Sequence, residues 1–215
     1  MKRIAILLIT SIATVAQAAD VRAIAQAVDR HYNHLHTIEC DFTEIYSGSG
    51  SERTETGTLW LKKPGKMRWE YRSPKEKLFV SDGRDTWFYL PGDRQVRKTQ
   101  VKKIDDLRSP LAFLLGKTRL EKELQPLSLA PDVPPIEAGD RVLRGVPRGM
   151  SDRVREVLLE ITPQHQIRRL VAEEVDGAVT EYIFREIRED LTIGEDRFRF
   201  TPPPGVETIT GDVGQ

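Results

Sequence analysis

The sequence has little of several features on which whole classes of proteins depend. It has a single cysteine, Cys40, among 215 residues, so no disulfide can form within the chain. Lys and Arg number 33 and so do Asp and Glu, a formal net charge of zero, which argues against a nucleic-acid-binding protein with a broad basic face. No apolar run approaches the roughly 20 residues that span a bilayer. Stability must therefore come from burial and backbone pairing.

The usual motifs of catalysis are also lacking. The sequence contains no Gly-x-Ser-x-Gly elbow, phosphate-binding loop or zinc-protease helix. His31, His34 and His36 lie close together, but no acidic or cysteine partner stands at ligand spacing, so surface positions are expected rather than a metal site. Cys40 falls on the apolar side of a predicted strand, which favours a buried, inert thiol over a nucleophile. We expect no enzyme, no metal and no cofactor.

The first residues form an export signal. Lys2 and Arg3 supply a positive start, residues 4–15 form a mainly apolar stretch, and Ala16-Gln17-Ala18 places small residues at the cleavage positions. We predict a signal peptide over residues 1–18 and one domain over residues 19–215. Because the predicted new N-terminus is Ala19 and not a cysteine, a lipid anchor is not expected.

Hydrophobic periodicity predicts a mainly β protein with two helices. Residues 20–35 have apolar side chains at three- and four-residue steps, with Asp20 as the N-cap. Residues 105–117 form a second, short helix that is apolar almost all round, which suits a cover over a cavity. About ten strands are expected, among them residues 154–161 and 167–174, with the last over residues 196–201. A sheet of that size curls onto itself.

Aromatic residues are concentrated in a meander between Gly57 and Val96. Turn signals at Lys63-Pro64-Gly65, Ser73-Pro74, Ser81-Asp82-Gly83 and Pro91-Gly92-Asp93 separate its short strands. Alternation along the strands predicts one oily concave face. The residues expected to line an acyl-chain cavity there, together with two from the short helix, are Leu59, Leu61, Met67, Trp69, Tyr71, Val80, Trp87, Phe113 and Leu114. An ordinary packed core is the competing interpretation, because aromatic faces usually form cores.

Lys63 is a cation on the same side of its strand as Leu59 and Leu61. One interpretation is that its ammonium simply extends to water at the rim. The other is that it donates hydrogen bonds to backbone carbonyls of the short covering helix and holds that lid closed until cargo displaces it. Both remain open from the sequence.

The ordered set of motifs resembles a known family. DFTEIYSGSG, GTLWLKKP, MRWEY, VSDGRDTWFYLPG, a Ser-Pro-led apolar helix and the terminal FRFTPPPGV are similar to the periplasmic outer-membrane lipoprotein carrier (LolA) family over nearly the whole mature chain.

The resemblance implies a fold and a role. The fold is an unclosed antiparallel β-barrel, a half-barrel whose open side is covered by an N-terminal helix and a lid helix. The implied role is a periplasmic chaperone, here expected as a monomer. It takes lipoproteins from an inner-membrane ATP-driven transporter, shields their acyl chains and passes them to an outer-membrane acceptor. Lys63 would match a lid-binding basic residue that is usually Arg, Met67 a large cavity residue and Leu114 an apolar lid residue.

Two other functions are compatible with the same curved sheet. One is a carrier of free lipid or glycolipid. The other is a regulatory protein resembling the lipid- or peptide-sensing domain of an envelope-stress anti-sigma-factor partner, although such proteins normally carry a second domain. Identification of the bound ligand would separate the carriers.

Overall fold

A computed structural model of the chain describes residues 5–100 and 119–210, with side chains described from residue 20 onward. The helices are α1 (Ala5–His34) and α2 (Leu120–Glu123), with a 3₁₀ helix at Glu195–Phe198. The strands are β1 (Thr37–Gly48), β2 (Ser51–Lys62), β3 (Lys66–Ser73), β4 (Lys77–Asp82), β5 (Asp85–Tyr89), β6 (Gln95–Gln100), β7 (Ser128–Leu129), β8 (Arg141–Gly145), β9 (Val154–Ile161), β10 (Ile167–Glu174), β11 (Val179–Glu189) and β12 (Glu207–Thr210).

All twelve strands belong to one unclosed sheet. Their order is β12-β6-β5-β4-β3-β2-β1-β11-β10-β9-β8-β7, and every neighbouring pair is antiparallel except β12 with β6. The mainly β half-barrel with an N-terminal helix is confirmed. The predicted lid over residues 105–117 lies outside the described residues.

Helix α1 packs one apolar stripe onto the sheet. Val21, Ala25, Val28 and Tyr32 are at most 6% exposed, as their spacing predicts. The prediction of Asp20 as N-cap is wrong, because the helix continues unbroken from Ala5 through an alanine-rich stretch with high helix propensity. Among the described residues, no helix is both long and apolar enough to cross a membrane.

We call the face of the sheet that packs against α1 the inner face. Phe42, Leu59 and Trp69 lie buried at its centre. The Phe42 ring meets the Trp69 and Tyr71 rings edge-on, with centroids 4.8 and 4.9 Å apart. This geometry is one that aromatic pairs prefer.

The opposite, outer face is covered in part by the chain that follows β11. The prediction of a strand over residues 196–201 is wrong: the 3₁₀ helix ends at Phe198, and residues 199–201 form no strand. Phe198, 1% exposed, packs with Trp60 and Ile193. Since β1 and β10 already occupy both edges of β11, the chain has no adjacent edge to pair with and crosses the face of the sheet. The chain pairs with the sheet again at the free edge of β6, where it forms β12. The sequence pattern did not predict this strand.

Candidate functional site on the inner face

Five of the predicted cavity residues share the inner face. Leu59, Leu61 and Trp69 are at most 5% exposed and belong to the core under α1. Met67 and Tyr71 are only partly buried and pack against that core from the side. The register places Met67 opposite Leu61 and Trp69 opposite Leu59, so the alternation along β2 and β3 predicted their common face correctly.

The placement of Val80 and Trp87 in the cavity is wrong. Trp69 pairs with Phe79 and Phe79 with Phe88, which puts these two phenylalanines on the inner face. Val80 pairs with Trp87, and both therefore lie on the outer face. There the Trp87 ring is 6.4 Å from that of Phe200. The sequence does not determine which side chains of β4 and β5 lie on the inner face, because both faces of these strands are apolar.

A partly exposed apolar surface thus extends from β3 to β5. We call it the inner apolar surface; its members are Met67, Tyr71, Phe79 and Phe88. Each is partly exposed among the described residues, whereas Leu59 and Trp69 beside them are buried. Such a surface can receive an apolar ligand without opening the core. Phe113 and Leu114 lie outside the described residues, and their contribution stays a prediction.

A buried polar row bounds the apolar part of the inner face. Glu44 and Glu55 stand directly opposite each other on β1 and β2 and are 9% and 3% exposed. Glu44 accepts a hydrogen bond of 2.7 Å from the Tyr71 hydroxyl and another from Tyr182. Glu55 pairs with Lys77, whose ammonium lies 2.5 Å from Oε2. These partners compensate two carboxylates that would otherwise be costly to bury.

The two tyrosines remain protonated donors in this row. Burial, followed by the nearby charge of Glu44, raises the pKa of the Tyr71 hydroxyl far above its usual value. The same two causes raise the pKa of Tyr182. The Lys77 ammonium also lies 4.3 Å from the centroid of the Tyr71 ring, a cation–π contact. The sequence analysis did not predict this row. The available signal was Glu44, which lies on the same side of its strand as Ile38, Cys40 and Phe42 and is therefore a carboxylate on an apolar side.

Lys62 and Lys63 hold chain segments on opposite faces. The Lys63 ammonium donates to the Tyr32 carbonyl near the end of α1, while the Lys62 ammonium donates to the Ile193 carbonyl at 2.7 Å. Burial lowers the pKa of Lys63. The lysine thus binds a helical carbonyl, but in the N-terminal helix. A bond to the predicted lid involves residues outside those described and stays a prediction.

The other candidate residues have separate surroundings. Cys40 is 3% exposed, which confirms the predicted buried position, and burial raises the pKa of its thiol to about 12, which disfavours the reactive thiolate. His31 Nε2 lies 2.9 Å from Glu189, and His34 Nδ1 lies 2.7 Å from the Arg30 carbonyl. The His36 side chain is exposed and lies next to Asp190. The three imidazoles therefore do not converge on one point.

Comparisons with known proteins agree on one family. The sequence pattern of the family described as "Outer membrane lipoprotein carrier protein LolA" matches residues 33–201. An outer-membrane lipoprotein carrier protein of Nitrosomonas europaea is 26% identical over 97% of this chain and 99% of its own length. One of Nitrosospira multiformis is 28% identical over 82% of this chain and 84% of its own.

Solved structures with little sequence identity share the fold. An uncharacterized conserved protein from Thermus thermophilus superposes with a TM-score of 0.58 at 14% identity, covering 91% of this chain and all of that one. MucB superposes with a TM-score of 0.51 at 15% identity, covering 85% of this chain and 63% of that one. At such identities the likeness concerns the fold alone.

Proposed function

This chain belongs to the LolA family of outer-membrane lipoprotein carriers, and on that premise we propose that it is a periplasmic lipoprotein carrier. It accepts lipoproteins released by an inner-membrane ATP-driven transporter, shields their acyl chains on the inner face and delivers them to an outer-membrane acceptor. Export follows cleavage after Ala18, and the single mature domain acts as a monomer without catalysis of its own.

The observation that carries this proposal is the inner apolar surface. Met67, Tyr71, Phe79 and Phe88 present aromatic and thioether groups beside a fully buried core. Removing one methylene from water is worth about 0.8 kcal/mol, so a long acyl chain needs shielding worth on the order of 10 kcal/mol to cross an aqueous space. Met and aromatic groups adapt their shape to chains of different form.

The polar row favours one orientation of the cargo on the inner apolar surface. Glu44, Glu55 and Lys77 lie at one end of the inner apolar surface, next to Tyr71. Covering charged groups adds no favourable free energy to the binding of an acyl chain, so the acyl chain lies over Met67 and Phe79. The polar part of the cargo then lies toward the row or outside it.

We place the lid helix of residues 105–117, with Phe113 and Leu114, over this surface, with Lys63 as its latch. Because Lys63 already contacts α1 through Tyr32, the latch would couple the N-terminal helix to the lid. In a transfer assay, Lys63→Leu is expected to alter delivery to the acceptor, whereas Lys63→Arg retains it. Equal delivery by Lys63→Leu and the wild type would refute the latch.

The central experiment is lipoprotein release from spheroplasts. Met67→Glu puts a carboxylate on the inner apolar surface, and we expect it to abolish release while the protein stays folded. The matched control is Tyr89→Glu, a partly exposed position on the outer face, which should keep activity. Undiminished release by Met67→Glu would contradict the proposal.

Native mass spectrometry of protein purified from its own envelope tests the identity of the cargo. A triacylated or diacylated polypeptide supports the lipoprotein carrier. Free lipid or glycolipid alone would reassign the protein to the second class of carrier. The structure adds no support for a sensor role beyond the curved sheet itself.

A further inference from the structure

A polar cleft lies between α1 and α2, away from the inner apolar surface. It has a volume of about 280 Å³. The residues that line it are Gln26, Asp29, Arg30, Asn33, Arg119, Glu121 and Lys122. Since a water molecule occupies about 30 Å³, the cleft has room for a small polar ligand of about nine waters' volume. All of the residues that line it are polar or charged.

The two carboxylates of the cleft are already engaged. Both oxygens of Asp29 accept the backbone N–H of Leu120, at 3.0 and 3.2 Å. Glu121 Oε1 lies 3.1 Å from Nε of Arg22 on α1. These contacts hold α2 against α1 and fix the width of the cleft. Burial raises the pKa of the Asp29 carboxyl overall, although the charge of Arg119 also acts on this carboxyl and lowers its pKa.

The cations of the cleft are not engaged in the same way. In the part of the chain that the structure describes, no hydrogen bond or ion pair occupies the charged groups of Arg30, Arg119 and Lys122. Gln26, Arg30 and Asn33 follow one another at four- and three-residue steps, so they form one stripe of α1. Arg30, Arg119, Lys122, Gln26 and Asn33 all line this cleft, so their side-chain donors can reach a single small volume.

We infer that this cleft binds a phosphate ester. A guanidinium group presents paired N–H donors whose geometry matches phosphate oxygens, and two such groups with a lysine match a tetrahedral anion. The volume accommodates a glycerol phosphate unit. The phosphate can belong to the headgroup of an anionic phospholipid or to a soluble ester, and both present the same chemistry to the cleft.

The first experiment titrates the full mature protein with glycerol 3-phosphate and follows the amide signals of Gln26 and Asn33 by NMR. We expect a saturable shift that weakens with added salt. The variant Arg30→Gln/Arg119→Gln/Lys122→Gln should bind at least about tenfold more weakly, since it loses three charge-assisted contacts. All three side chains are exposed, so the thermal midpoint should hardly change.

The control removes the same charge elsewhere. Lys75→Gln/Arg84→Gln/Arg94→Gln alters three exposed cations remote in sequence from the cleft and should change the affinity less than about twofold. Equal losses in both triple variants would overturn the inference, because net charge alone would then explain binding. A titration without saturable shifts at Gln26 and Asn33 would also overturn it.

A vesicle experiment identifies the source of the phosphate. Co-sedimentation with phosphatidylglycerol vesicles, but not phosphatidylcholine vesicles, that the cleft variant loses would identify a lipid headgroup. Binding of glycerol 3-phosphate without co-sedimentation would assign the cleft to soluble esters. The glycerol 3-phosphate titration involves no acyl chain and therefore makes no use of the inner apolar surface, so failure of the carrier proposal and failure of the cleft proposal can be told apart.

Discussion

Gly57 lies on β2 at a tight contact with the backbone of β3. A Cβ atom at this position would stand 2.0 Å from the Glu70 carbonyl oxygen and 2.8 Å from the Phe42 ring. The first of these atoms is backbone and cannot move without shifting β3. The absence of a side chain at Gly57 therefore allows Phe42 and Tyr71 to meet across the inner face.

We predict that Gly57→Ala destabilises the protein by about 1–3 kcal/mol, because it overpacks the sheet. Urea unfolding monitored by circular dichroism measures the change. Thr54→Ala, at an exposed position of the same strand, should stay within about 0.5 kcal/mol. Equal stability of Gly57→Ala and wild type would show that β3 can move away at no cost.

The polar row permits a second prediction on single residues. Tyr71→Phe removes one of the two hydroxyl donors of the buried Glu44 carboxylate and should cost about 1–2 kcal/mol. In a double-mutant cycle, Glu44→Gln combined with Tyr71→Phe should cost less than the sum by at least about 0.5 kcal/mol. Tyr89→Phe serves as the control, since no hydrogen bond engages its hydroxyl in the described chain. Strict additivity would mean that the Tyr71 bond contributes nothing.

Among the elements, the 3₁₀ helix depends on one side chain. Phe198 is 1% exposed and packs with Trp60, so Phe198→Ala should cost about 3 kcal/mol through the cavity that it leaves. Ile209→Ala in β12, where the side chain is 37% exposed, should cost less than about 1 kcal/mol. Denaturant midpoints of the two variants provide the comparison. A loss below that of Ile209→Ala would contradict the packing role.

The same element should respond to acid. Hydrogen bonds from Lys62 and then Lys66 lower the pKa of Glu195 from 4.5 to about 2. A lowered carboxyl pKa in the folded state adds stability above pH 4.5 that is lost as the pH falls toward 2. Glu195→Gln should therefore show a shallower fall of the thermal midpoint over this range than wild type. Glu76→Gln, at an exposed turn, should follow the wild-type curve, and a parallel fall in Glu195→Gln would refute the assignment.

Elements with one solvent-exposed face and one buried face were predictable from the sequence. The predicted bounds of β9 and β10 equal those of the structure, and the apolar stripe of α1 is buried as expected. In each case apolar and polar side chains separate by local periodicity, so the alternation itself encodes which side is covered.

Elements covered on both faces were not predictable in this way. Around Phe79 and Phe88 the neighbouring residues Leu78, Val80 and Trp87 are apolar too, because Phe200 and its neighbours cover the outer face. That cover comes from more than a hundred residues further along the chain, so no local pattern signals it. The pairing of β3 with β4, which the turn after Ser73 connects, determines instead which of these side chains lie on the inner face.

At the scale of the whole molecule, the three tryptophans report on the two faces separately. Trp69 lies on the inner face, and Trp60 and Trp87 lie on the outer face. If acyl chains bind the inner apolar surface, a brominated fatty acid should quench Trp69 fluorescence in the Trp60→Phe/Trp87→Phe variant. The Trp69→Phe variant should retain its emission, and quenching of equal depth in both variants would show that the chains bind without preference for the inner face.

The neighbouring lysines at the end of β2 have a consequence for how this chain can change. Lys62, the last residue of β2, binds the segment after β11, and Lys63, the first residue after β2, binds the first helix. The two ammonium groups therefore lie on opposite faces of the sheet. Deleting one residue from β2 would exchange their directions and release both layers together. Insertions and deletions in this strand should therefore be tolerated only in pairs, whereas the Ser49-Gly50 tip can vary freely in length.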